Sequence, residues 1–95
     1  MNHFATIIQP GRGVKTMRLP EDSASRLRDL QSFVGGYIEV IYLGEDKVMV
    51  LNEDGKMFKS PANATATRIA HDAGAIHPGD IIVGVAVITT SQALE

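Results

Sequence analysis

Two adjacent glycines, Gly35 and Gly36, separate a helical pattern from a strand pattern and constrain this chain more than any other feature. Before them, Leu27, Leu30 and Val34 recur at helical spacing, with Ala24 and Phe33 widening the stripe. A helix is therefore predicted from Pro20 through Val34. Glu21 and Asp22 suit its positive N-terminal end, and Gly35 supplies the left-handed residue on which many helices stop. After the glycines, residues 37–43 alternate, with Ile38, Val40 and Tyr42 on one face and Tyr37, Glu39, Ile41 and Leu43 on the other. Apolar residues on both faces predict a central strand, covered on two sides. Gly44-Glu45-Asp46 then turns the chain into a strand over 47–52, and Asp54-Gly55 signals a hairpin leading to a further strand at Lys56-Met57-Phe58.

The flanking segments complete one domain over residues 1–95. Residues 4–9 are β-rich and end at the turn dipeptide Pro10-Gly11, and residues 14–19 form the second arm of a hairpin. Pro61-Ala62-Asn63 sets up a second helix, with Asn63 as N-cap, running over 64–73 and stopping at Gly74. It presents Ala66, Ile69, Ala70 and Ala73, small enough to lie close against a sheet. His77-Pro78-Gly79-Asp80 is a turn, and residues 81–88 read as a buried strand in which Gly84 permits a bulge or a close backbone approach. Residues 89–95 read as a frayed tail. The expected order is ββ-α-βββ-α-β, an α+β domain with a mostly antiparallel sheet.

Composition excludes several classes of function. The chain has no Cys, so neither a disulfide framework nor a thiolate metal site exists, which fits a reducing compartment. No basic segment followed by an apolar run opens the sequence, and the longest apolar run, 81–88, is too short to span a bilayer. A cytoplasmic protein without a membrane partner is expected. The net charge of −2 argues against general nucleic-acid binding. Charge is nevertheless uneven: residues 1–30 carry five bases and three acids, giving +2, and the remainder four bases and eight acids, giving −4.

No catalytic constellation emerges. The histidines His3, His71 and His77 show neither HxH nor HExxH spacing, so no metal is expected. His71 and Asp72 are adjacent on one helix and diverge by ~100°, which does not make a relay. Glu39 is explained by an exposed strand face and Glu53 by a turn. Gly11-Arg12-Gly13 lacks the rest of a phosphate loop and reads as a hairpin tip whose arginine can still reach a ligand. Two segments fit ligand binding better. At residues 63–68 a helix start offers free N–H groups to an anion, with Asn63, Thr65, Thr67 and Arg68 adding polar side chains, although simple capping also accounts for them. At Gly35-Gly36-Tyr37, exposed backbone allows close approach and Tyr37 can stack on a flat ring, although a helix stop also accounts for the glycines.

The run Leu-Gln-x-Phe-Val-Gly-Gly-Tyr-Ile-Glu-Val over 30–40, Asn-Glu-Asp-Gly-Lys over 52–56, Pro61 with Asn63, Ala66 and Thr67, and Gly79-Asp80 resembles a small domain-of-unknown-function family. That family is frequent in bacteriophages, plasmids and actinobacterial genomes. The resemblance covers 27–87 and leaves out the first 20 residues. It implies a phage setting and no established activity or cofactor. The expected function is non-enzymatic: an oligomeric sponge that sequesters a nucleotide-derived host immune signal through Arg12, Gly35, Gly36, Tyr37, Asn63, Thr65, Thr67 and Arg68. The alternative is a protein-interaction module that blocks or adapts a host complex.

Overall fold

A computed structural model describes residues 2–95 of the chain. Strands β1 (His3–Ile8) and β2 (Val14–Leu19) form the N-terminal hairpin, helix α1 spans Ser23–Val34, and β3 (Ile38–Gly44) and β4 (Lys47–Asn52) form a second hairpin. Helix α2 (Ala64–Asp72), strand β5 (Ala86–Thr90) and a final 3-10 turn at Ser91–Leu94 complete it. The sheet is antiparallel throughout, in the order β2-β1-β5-β4-β3. The α+β class is therefore as expected.

Strand alternation sends the core to both sides of this sheet. Val48, Val50 and Val87 face α1 and pack with Leu30, Val34 and Leu19. Met49, Leu51 and Ala86 face the other way, onto Ala66 and Ala70 of α2 and Ile82. The alanines let α2 lie close to the sheet, as the sequence implied, and all of Val48, Met49 and Val50 become inaccessible to solvent. No described helix is long and apolar enough to cross a membrane.

Four expectations change. Residues 56–58 form turns and not a strand, because a strand leaving β4 by a hairpin needs a free β4 edge. Both edges of β4 are taken, by β3 and by β5. The chain instead coils through consecutive turns, with Phe58 N–H donating to Asp54 and Ser60 N–H to Gly55. Strand β5 begins at Ala86, later than expected, because Gly84 adopts φ +75°. Before it, the chain makes a single bridge from Val83 to Ala62. Strand β3 lies at the edge and not in the centre. Its two apolar faces reflect the helical layers on both sides of the sheet, which extend to its rim.

The fourth change concerns residues 89–95, which are docked. Thr89 Oγ1 donates to Phe4 O at 2.8 Å, and Ala93 is 2% exposed in the core under α1. Arg26 holds this segment. The residue is 5% exposed, and its guanidinium donates from Nε to Ala93 O at 2.8 Å and from Nη2 to Glu95 O at 3.0 Å. Nη1 donates to the carbonyls of Pro20 and Glu21, so one side chain joins the entry of α1 to the last turn. Arg26 therefore takes the inward position in the first helical turns that periodicity gave to Leu27, which is 43% exposed. Asp22 caps the helix by accepting from Ser25 N–H at 2.9 Å. Its hydrogen bonds from Ser25 hold the carboxyl below the usual range.

Replacing Arg26 by Met keeps the aliphatic volume but strips buried carbonyls of their donor. R26M is expected to lose about 2–4 kcal/mol of unfolding free energy in urea titrations. Protection of the Ala93 and Leu94 amides from hydrogen exchange should fall with it.

Candidate functional site

The start of α2 is where the sequence placed an anion, and there the polar side chains turn inward. Asn63 is 1% exposed. Its Oδ1 accepts from Ala66 N–H at 3.1 Å, and its Nδ2 donates to Ile8 O and Gly84 O, each at 2.9 Å. The backbone N–H of Asn63 donates to Ile82 O at 2.8 Å. Thr67 follows one turn later. Its hydroxyl donates to Asn63 O at 2.7 Å and accepts from Ile82 N–H at 2.9 Å. One turn further, His71 Nε2 lies 2.8 Å from Asp80 O.

These contacts form a regular polar seam. Positions 63, 67 and 71 advance by four along the helix, and positions 84, 82 and 80 by two along an extended chain running the other way. Four helical residues rise ~6 Å and two extended residues ~6.6 Å, so the steps match. Asn63 and Thr67 are thus engaged with protein, while Thr65 and Arg68, on the opposite side of the helix, are exposed. His71 pairs with a backbone carbonyl, and the divergence expected from Asp72 follows from the same geometry.

The two glycines have separate physical reasons. Gly35 sits at φ +83°, and the N–H groups of Gly35 and Gly36 both donate to Gln31 O, at 2.8 and 3.0 Å, closing α1 in a left-handed cap. Gly36 is required by Asn52: a Cβ there would stand 2.9 Å from Asn52 Nδ2. That amide donates to Val34 O at 3.1 Å, and Asn52 Oδ1 accepts from Asp54 N–H at 2.7 Å, which fixes the turn after β4. Tyr37 is exposed and lies outside the groove described next.

The C-terminus of α1 and the N-terminus of α2 meet the same end of the sheet, on opposite faces, where β1, β4 and the approach to β5 also end. A groove of about 370 Å³ opens there. Pro10, Val34, Pro61 and Val85 give it apolar walls, Gln9 and Ser60 add polar groups, and Arg12 from the β1–β2 turn is, among the described residues, the only charged one that lines it. Of the residues expected to bind, the structure brings Arg12 to this groove and sets Gly35 and Gly36 behind its wall through Asn52. It does not bring Thr65, Thr67, Arg68 or Tyr37 there. Sequence reasoning missed Gln9, Ser60 and Pro61, and the turn-forming prolines were their only signal.

A second cleft, of about 290 Å³, differs in charge: Glu39, Glu53 and Asp80 line it with Ile41, Leu51 and Met57. Lys56 closes its rim through a salt bridge to Asp80 at 2.5 Å. The hydrogen bond from Lys56, aided by Ile81 N–H, holds the Asp80 carboxyl below the usual range. That contribution is complete above the ordinary carboxylate range and is lost as pH falls through the lowered value. No group of side chains suited to a metal ion occurs among the described residues.

A family model described as a domain of unknown function, DUF3846, matches residues 1–93. Neither a curated protein nor a solved structure matches the chain. The match takes in the first 20 residues, which supply β1, β2 and the Arg12 turn.

Three substitutions probe the structural roles of residues at this end of the fold. G36A must displace the Asn52 side chain and is expected to cost about 1–3 kcal/mol of stability, read by thermal or urea unfolding. N63A removes the cap and leaves Ile8 O and Gly84 O without donors, and about 2–4 kcal/mol should be lost. T65A should leave the unfolding midpoint within error of the wild type.

Proposed function

The chain belongs to the DUF3846 family, and from that premise we propose that it is a non-enzymatic binding protein whose ligand is a small anion carrying an apolar or ring portion, a nucleotide-like molecule. The groove at the shared end of the helices supports this reading above all. Its volume lies in the range of small-molecule sites, roughly 300–1,000 Å³. Arg12 at its mouth is unopposed by any acid in the lining, in a protein whose net charge is −2. The guanidinium takes a phosphate in a two-pronged contact, the prolines and Val85 cover the ring, and Gln9 and Ser60 offer hydrogen bonds to its edge. The phage setting implied by the sequence resemblance makes a host immune nucleotide the natural cargo, held as by a sponge in the host-cell cytoplasm.

A second reading, a module that blocks a host protein complex, is favoured by one observation. Met57 and Ile81 are exposed in the lining of the acidic cleft, and Phe58 is exposed next to Met57 in the sequence, a combination suited to an apolar, basic segment of a partner.

Calorimetry with linear and cyclic nucleotides tests the first reading. Binding is expected, with R12A weakening it about tenfold, equivalent to ~1.4 kcal/mol, while the melting temperature of the free protein is unchanged. Absence of both heat and thermal shift across the panel removes the nucleotide reading. Stoichiometric capture of a host protein that M57E and F58E abolish then supports the second.

A further inference from the structure

We infer that β3 is a self-association strand: two copies pair their β3 edges antiparallel about a two-fold axis at Val40, joining their sheets into one. β3 lies at the rim of the sheet, with β4 on one side and a second backbone edge that no described strand pairs. Natural edge strands are blunted by charge, proline or lysine. The opposite rim, β2, carries Lys15 and Arg18, whereas β3 (Ile38–Gly44) has only Glu39.

The phase of its hydrogen bonds fixes which peptide groups are free. Glu53 N–H donates to Tyr37 O at 3.0 Å, and Ile38 stands opposite Asn52 and Val40 opposite Val50. Odd-numbered residues of β3 therefore bond to β4, and Ile38, Val40 and Tyr42 direct their N–H and C=O groups outward. A two-fold axis at Val40 sets Val40 against the partner's Val40 and Ile38 against the partner's Tyr42, so every outward residue meets an outward residue. Glu39 then faces the partner's Ile41. Displacement by two residues in one direction would oppose Glu39 to its own copy, with like charges in contact. The other direction would set Ile38 against the partner's Gly44.

Side chains fit the same register. Tyr42 is 71% exposed on the α1 face of the sheet. On that face, Ile38 borders a cleft of about 210 Å³ between α1 and β3, walled by Leu27, Leu30 and Leu94. The partner's Tyr42, opposite Ile38, is placed to cover that cleft and the exposed Leu27. Two equivalent contacts of this kind arise from the symmetry. The occupant is thus a second copy of this chain, since the edge and the cleft are complementary to each other.

Sedimentation velocity tests it on the intact chain. A dimer is expected at ~200 µM and a monomer at ~1 µM, as for an interface of modest area. V40P removes an N–H that β4 does not use, so the protein should melt cooperatively and remain monomeric. Y42K, at an exposed position outside the core, should weaken dimerisation at least about tenfold and decides the matter should V40P fail to fold. The native chain has no cysteine, so V40C reports position directly: mild oxidation should give a covalent dimer. A wild-type chain that stays monomeric at ~200 µM overturns the inference, and so does a dimer that Y42K leaves intact.

Discussion

The carboxamide of Asn63 ties the start of α2 to the sheet. It caps α2, reaches the end of β1 at Ile8 and grips Gly84 just before β5. A short helix of nine residues with an alanine-rich face buries little surface and would be marginal alone. Its position comes from the seam that Asn63 begins and that Thr67 and His71 continue. The approach to β5 lacks a ladder until Ala86 and depends on the same seam for its register. β5 is the strand between the two hairpins, and its ladders to β1 and β4 set the sheet order.

That arrangement has a functional consequence. The free N–H groups and hydroxyls at the start of a helix serve either a ligand or the protein, and here the Ala66 and Thr67 N–H groups and the Thr67 hydroxyl are committed to the protein. The proposed binding space lies beside the seam, where loops from both halves of the sequence converge. Arg12 enters from the N-terminal hairpin, Val34 from the end of α1, Ser60 and Pro61 from the turns after β4. Arg26, which seemed part of a basic N-terminal third, is withdrawn to hold the last turn. The net positive charge of that region is therefore less available at the surface than its count implies.

Much of the fold was legible in local chemistry. Helical spacing up to Gly35, alternation over β3 and β4, and the Asn63 cap each depend on residues close in sequence. What failed depended on pairing at a distance. Lys56-Met57-Phe58 has strand-like residues, but β4, its hairpin partner, has no free edge. The 89–95 segment looks polar and loose until Arg26 reaches across the chain to it. Gly36 reads as half of a helix stop, and only Asn52, sixteen positions later, shows why a side chain is excluded there. For β3 the residue pattern reports two covered faces, and only the long-range order of the strands places it at the rim.

The central claim is that the α2 start is committed to the fold and that the adjoining groove receives the ligand. Amide chemical-shift mapping during titration with a nucleotide tests it residue by residue. The account predicts shifts at Arg12, Ser60, Gly84 and Val85, with Ala64, Thr65, Ala66 and Thr67 unmoved. Shifts centred on residues 64–68, with Arg12 and Ser60 silent, would contradict it.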